Sequence, residues 1–259
     1  MISAHASHPG LVRQNNEDCI LTDDDLGIYL LADGIGGHNA GEVASALAIE
    51  TVYTILRSNI AHTDVEDFFE LMVHAVQAAH WEVNSKSLSH DSFTRMGTTL
   101  AVAVMRDDKA YIVHAGDSRC YLLPGGSHPH TDPPVTLQAL AVGKTLKIMR
   151  LTHDHTVGDQ LLANGIAMGD IPKKQFHTLT QSVGCGNPPY PDFNSVEFKR
   201  GDLLLICSDG LTDMLADAEI EAILTRRDTG IDTLVVDLIN AANANGGRDN
   251  ISVILITSP

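Results

Sequence analysis

Aromatic residues are scarce in this chain, at 5% of 259 residues with a single tryptophan. Basic residues are also few: 17 stand against 33 acidic ones, a formal net charge of −16. A chain this acidic repels phosphate backbones and anionic lipid headgroups, which argues against nucleic-acid and membrane-surface partners. The four cysteines, Cys19, Cys120, Cys185 and Cys207, show no C-x-x-C spacing, so a zinc knuckle or a thioredoxin-type site is not expected. Scattered in this way they read as small buried residues of a reducing compartment. No apolar run approaches the roughly 18 residues of a membrane-spanning helix. The opening MISAHASHPG has neither the basic nor the apolar region of a signal peptide. The expectation is a soluble, cytoplasmic monomer.

Apolar residues make up 44% and charged residues 19%, the balance of a globular chain. The length suits a single domain over residues 1–259 that buries a sizeable core without staples. Cys19 to Thr22 and Gly27 to Ala32 read as strands around an acidic turn. A helix is predicted from near Asn39, with Glu42 completing a capping pattern. A second follows from about Val65 to Ser85, with Val65, Phe68, Phe69, Met72, Ala75, Val76, Ala79 and Val83 on one face. Trp81 and the Phe68-Phe69 pair are expected in the core. Thr98 to Met105, Lys109 to Ala115 and Arg119 to Leu123 read as an antiparallel meander. Pro124 to Pro134 and Cys185 to Pro191 read as loops. Thr156 to Asn164, Ala218 to Thr225 and Asp232 to Asn243 read as helices. Leu203 to Cys207 and Ile251 to Thr257 read as strands. Strands, a helix pair, strands, helices and a strand make a layered α+β domain rather than a βαβ alternation.

Four acidic clusters stand where strands are expected to end: 13–18, 33–38, 208–210 and 247–250. The excess acid has a plain reading as solubilising surface, and a lone Asp-Gly is usually a turn. Two Asp-Gly pairs after apolar strands, at Asp33-Gly34 and Asp209-Gly210, and Asp249 just before another strand, are harder to dismiss. The glycine lets the carboxylate point into a cleft through a tight turn or a positive φ. Converging carboxylates repel unless a cation lies among them, and all-oxygen ligation favours Mg²⁺ or Mn²⁺ over zinc.

Seven motifs then occur in one order. They are Gly10-x-x-Arg13-x-x-Asn16-Glu17-Asp18, Ala32-Asp33-Gly34-Ile35-Gly36-Gly37-His38-x-Ala40-Gly41-Glu42, Met96-Gly97-Thr98-Thr99, and Ala115-Gly116-Asp117-Ser118-Arg119. Leu151-Thr152-x-Asp154-His155, Ser208-Asp209-Gly210-Leu211-x-Asp213 and Gly247-x-Asp249-Asn250 complete them. Together they span nearly the whole chain, which resembles the metal-dependent Ser/Thr protein phosphatases of the PPM (PP2C) family in their bacterial single-domain form. The resemblance implies a four-layer α-β-β-α sandwich with two central antiparallel sheets. It implies hydrolysis of phosphoserine and phosphothreonine in proteins by a metal-activated bridging water, opposing a bacterial Ser/Thr kinase. It implies two core Mn²⁺ or Mg²⁺ ions, and a third in bacterial members. By position, Asp33 would bridge the core ions, the Gly34 carbonyl would bind one, and Asp209 and Asp249 would complete the other. Asp117, with Asp209, would hold the third. Glu17 and Asp18 would hold metal-bound waters or bind directly, Arg13 would grip the phosphate, and Asn250 would lie behind the ligands. A planar guanidinium suits phosphate oxygens.

The chain departs from that pattern in places. Animal members carry a histidine after the metal-binding Asp-Gly as general acid, where this chain has Ile35. His38 is a tempting substitute, against the plainer reading that it packs at a helix start. Phe176, His177 and Gln181 thin the basic contacts expected around Leu179-Thr180, in a flap over Gly165 to Gly186. The loop from Pro124 to Leu146 is longer than expected. His128-Pro129-His130 and His153-Asp154-His155 lack zinc spacing, and Gly116-Asp117-Ser118 lacks the partners of a serine hydrolase. Two rivals remain: a phosphoprotein-binding module without turnover, and an enzyme for small phosphoesters. The three metal-type aspartates argue against the first; the metal site is indifferent to the second.

Overall fold

A computed structural model describes residues 1–36, 40–125, 147–226 and 229–258. Along the chain the strands are β1 (Ile2–His8), β2 (Asp18–Asp23) and β3 (Ile28–Ile35), followed by helices α1 (Ala40–Asn59) and α2 (Phe68–Ser89). Then come β4 (Gly97–Thr98), β5 (Leu100–Arg106), β6 (Lys109–Ala115), β7 (Arg119–Leu123) and β8 (Met149–Arg150). The chain ends with α3 (Val157–Ala163), β9 (Asp192–Glu197), β10 (Leu203–Cys207), α4 (Asp209–Thr212), α5 (Asp217–Leu224), α6 (Ile231–Ala244) and β11 (Ile251–Thr257).

Among the described residues the strands form two sheets, ordered β1-β11-β10-β7-β8 and β2-β3-β5-β6-β9, with β4 pairing β3. Every pairing is antiparallel. Their facing surfaces share one core, including Tyr29, Leu31, Ile112, Leu122, Leu204, Ile206 and Ile254. Outside the second sheet, α1 and α2 bury Ala44, Val52, Leu56, Phe68, Met72 and Val76 against Leu30, Val102 and Val104. Outside the first, α4 to α6 bury Leu211, Ile220, Leu234 and Leu238 against Leu205, Val253 and Leu255. The order is therefore α-β-β-α, as the resemblance implies. With strands buried on both faces, each large aliphatic side chain contributes roughly 1.5–3 kcal/mol.

Several expectations need correction. The meander breaks at Gly116: β6 pairs with β9, whereas β7 crosses to the other sheet beside β10. Strand β3 runs through Asp33 and Gly34, because Gly34 and Ile35 pair with Thr98 and Gly97. Val65 lies in a 3-10 turn before α2 and is exposed, as is Phe69, whose ring instead meets Phe193 edge-on at 5.0 Å. Trp81 is 56% exposed, because the buried stripe of α2 runs through Phe68, Met72, Ala75, Val76, Ala79 and Val83. All four cysteines are free; Cys120 and Cys207 are buried, Cys19 and Cys185 only partly. His38, Asn39 and most of the 124–146 loop, including His128 and His130, lie outside the described residues. No helix among the described residues is long and apolar enough to cross a membrane.

Candidate active site

The strand ends at one edge of the sandwich surround a cleft of about 880 Å³. Arg13, Glu17, Asp33, Gly34, Asp117, Asp209, Asp249 and Asn250 line it, eight of the nine residues singled out from sequence. The ninth, Asp18, lies behind the wall: it faces Asp33 across the β2–β3 pair, and its Oδ2 accepts from Ser208 Oγ at 2.9 Å.

Backbone clamps fix Asp33. Its amide donates to Thr99 Oγ1 at 3.0 Å, and its carbonyl accepts from the Thr99 amide and the Thr98 hydroxyl, both at 2.8 Å. The two threonines of Met96-Gly97-Thr98-Thr99 therefore hold the central carboxylate, a role not visible in sequence. Asp209 is the first residue of α4, not part of a turn, and Asp213 follows one helical turn later on the same face. The glycines after the two aspartates do not act through positive φ. A Cβ on Gly34 would run into the carbonyl of Gly41, and one on Gly210 into that of Asn250. Close backbone approach is what demands glycine there.

Asn250 organises the approach to the cleft. Its Nδ2 donates to the carbonyls of Pro9 (3.1 Å) and Asn15 (2.8 Å), and its Oδ1 accepts from the Glu17 amide at 2.8 Å. Those three bonds clasp the loop that carries Arg13. Gly10, at φ 78°, lets that loop press against the Asp249 backbone. The Glu17 carboxylate packs against Gly41 at the start of α1.

The Gly116-Asp117 turn is held by His155. The Gly116 amide donates to His155 Nδ1 at 3.2 Å, and the His155 amide donates back to the Gly116 carbonyl at 2.9 Å. His155 stacks on His114 at 4.6 Å, and its Nε2 lies 3.3 Å from Asp192. Arg119 pairs with Asp154 at 2.6 Å, and Arg150 reaches the same carboxylate.

The electrostatics follow from crowding. Desolvation, then the charges of Asp18, Asp209 and Asp117, push the Asp33 carboxyl well above its usual range. Desolvation and Asp117, Asp213 and Asp249 do the same to Asp209, which lies within hydrogen-bonding reach of Asp33. Burial raises Asp18 to about 6, and burial with Asp154 raises Asp117 to about 6. Glu17 and Asp213 are raised, chiefly by desolvation. The Asp18 Oδ1 and Asp209 Oδ1 atoms are buried with no hydrogen-bond partner. Orphaned carboxylate oxygens are costly unless protonated or matched by a cation. This all-oxygen set fits a hard divalent ion of the Mg²⁺ or Mn²⁺ kind. His177, Asp213, Leu179, Ser182 and Arg248 also line the cleft, and His177 Nδ1 lies 3.5 Å from Asp213. The flap thus delivers an imidazole to the site where sequence showed only thinned basic residues.

The model of the protein phosphatase 2C family matches residues 4–255. The chain belongs to that family. It is 33% identical over 254 residues to the serine/threonine phosphatase stp of Listeria monocytogenes, covering 95% of this chain and 92% of the relative. The Streptococcus agalactiae serine/threonine phosphatase superposes with a TM-score of 0.81 at 30% identity, covering 100% and 99% of the two chains. The catalytic domain of the serine/threonine phosphatase PstP, solved with two manganese ions, gives 0.78 at 29% identity, covering 98% and 96%. The two solved structures share the fold over nearly the whole chain, and the family match over residues 4–255 spans the seven motif positions.

Proposed function

We propose that this phosphatase 2C chain is a divalent-metal-dependent serine/threonine protein phosphatase. The observation that carries the reading is the meeting of Asp33 and Asp209 in one cleft, each held well above its ordinary pKa, first by desolvation and then by the crowding of Asp18, Asp117, Asp213 and Asp249 around them. Such a pair is stable as neighbours when a cation lies between them. Asp33, the Gly34 carbonyl, Asp209 and Asp249 would hold two ions, with Asp117 and Asp209 offering a third position. Divalent cations held there would lower the pKa of water and neutralise the phosphoryl oxygens, so no protein nucleophile is needed. Arg13 binds and orients the phosphate at the mouth. Glu17, its carboxylate against the start of α1, would hold metal-bound water in the cleft, and Asp18, held by Ser208 behind the wall, would support the ligands from there.

The substrates would be phosphoproteins, the products of a Ser/Thr kinase. Four free thiols suit a reducing compartment, and we take the enzyme to act in the cytoplasm as a monomer. The test is hydrolysis of a phosphothreonine peptide with Mn²⁺, with Mg²⁺ and with chelator. Turnover that requires metal supports the reading. Full activity after chelation, or tight peptide binding without turnover in Mn²⁺, removes it.

A further inference from the structure

Beside the catalytic cleft lies a second cavity of about 600 Å³, between the C-terminal end of α2 and the segment after the flap. Cys185 lines both, so the two adjoin at that residue. Arg95 lines this second cavity. Arg95 sits at φ 63°, a left-handed conformation that a non-glycine residue keeps only where its surroundings impose it. They do so here: its amide donates to Ser87 Oγ at 3.1 Å, and its carbonyl accepts from Cys185 Sγ at 3.2 Å. Gly97, two residues on, pairs with Ile35, and Thr98 bonds the Asp33 carbonyl. The same short segment therefore braces the central carboxylate and carries a guanidinium into the adjoining cavity.

That guanidinium is exposed and makes no ion pair among the described residues. Asp91 is the only carboxylate lining this cavity, and it is not paired with Arg95. The catalytic cleft next door is lined by Glu17, Asp33, Asp117, Asp209, Asp213 and Asp249. Carboxylates therefore crowd the catalytic cleft, whereas the neighbouring cavity has Asp91 alone beside the unpaired Arg95. An extended peptide whose phosphoresidue enters the cleft has its neighbouring residues in this adjoining cavity, where an unpaired planar fork meets them. A carboxylate is the side chain that matches such a fork.

We propose that this second cavity binds the segment of the phosphoprotein flanking the phosphoresidue, and that Arg95 selects segments carrying an acidic residue there. The inference rests on the phosphatase reading above and specifies its substrates. The test uses phosphothreonine peptides in which glutamate, alanine or lysine is walked through the flanking positions, with p-nitrophenyl phosphate as a substrate that has no flank. In the wild-type chain with Mn²⁺, glutamate at one or more positions raises kcat/KM about tenfold over alanine, the effect of one charge-assisted contact. Arg95→Ala abolishes that advantage, and Arg95→Glu shifts it to lysine. All variants hydrolyse p-nitrophenyl phosphate at wild-type rates. Arg95→Gly removes the charge while relieving the backbone, so it loses the advantage with a melting temperature at or above wild type. No glutamate advantage in the wild type, or one that survives in Arg95→Gly, overturns the inference. Failure to hydrolyse any peptide or p-nitrophenyl phosphate removes the phosphatase reading and this inference with it.

Discussion

Arg13 Nη2 donates to Asp249 Oδ2 at 2.6 Å, so the residue read as the phosphate grip is paired with a carboxylate read as a metal ligand. The other oxygen, Asp249 Oδ1, accepts the Asn250 amide at 2.8 Å. In this arrangement a guanidinium supplies the positive charge that a metal would supply to Asp249. Both cannot have full use of the same oxygen. Arg13 is the more exposed partner and is carried on a loop clasped by Asn250, so it is the one free to swing toward substrate.

This relationship gives Arg13→Ala two expected outcomes. Metal binding tightens, because a competitor for Asp249 and a repelling charge are both removed. Phosphate binding weakens, and KM rises more than kcat falls, because a contact made equally in ground and transition state is lost. The loss should be about 1.5–3 kcal/mol, the range for hydrogen bonds to charged groups. Metal titration calorimetry and steady-state kinetics on one phosphopeptide read the two effects separately. Collapse of kcat at constant KM would mean that Arg13 acts chiefly in the transition state.

Asp33→Ala and Asp209→Ala should each abolish turnover without unfolding the chain. In the metal-free protein each change removes one member of a repelling, desolvated group. Melting without metal should therefore rise, by a few degrees if the relief is about 1 kcal/mol. Stabilisation by added Mn²⁺ should disappear in both variants. A variant that keeps near wild-type turnover removes that residue from the site.

The raised carboxyls also set a pH dependence. Burial holds the Asp18 and Asp117 carboxyls at about 6, above the ordinary value of 3.8. Between those values the unfolded chain has released protons that the folded chain still holds. Their contribution to metal-free stability is therefore lost as pH rises from about 4 through 6. Cations compete with the same protons, so Mn²⁺ should raise the melting temperature strongly at pH 8 and weakly near pH 5. Calorimetric scans at the two pH values, with and without Mn²⁺, read this directly. Equal metal stabilisation at both would show that these carboxyls are not what the cation displaces.

How much of this was legible in sequence differs by element. Leu203 to Cys207 and Ile251 to Thr257 were readable because strands buried on both faces are continuous apolar runs. For the same reason sequence could not say which sheet a strand joins, and β7 was assigned to the wrong neighbour. Strand β1, Ile-Ser-Ala-His-Ala-Ser-His, was missed because its small polar residues carry little hydrophobic signal, although it pairs along its whole length with β11. Edge strand β9, Asp-Phe-Asn-Ser-Val-Glu, was missed likewise. The carboxylates of the site were legible because Asp next to Gly at an apolar strand end is unusual when repeated. Their supports were not: Thr99, Ser208 and His155 reach the site through hydrogen bonds across tens of residues, which no local pattern encodes.

Asp117→Ala should be milder than Asp33→Ala in metal binding yet still slow turnover. Asp33 sits in the middle of the group and feels Asp18, Asp209 and Asp117 together, so its loss dismantles the site. Asp117 stands on a separate turn, fixed by the two hydrogen bonds between Gly116 and His155 and joined to Thr99 through the neighbouring Ser118 hydroxyl at 2.7 Å. Asp209, whose pKa its charge raises, is the co-ligand it would share with the core ions. A position with fewer protein ligands relies on exchangeable water and holds its ion weakly. The variant should keep the two tighter ions, lose the weakest and turn over more slowly at every Mn²⁺ concentration. Because the turn is braced by His155 and not by the Asp117 side chain, the melting temperature without metal should not fall. Calorimetric metal titration paired with kinetics and melting decides the matter. A variant that binds as many ions as the wild type at an unchanged rate would leave Asp117 as a turn residue and nothing more.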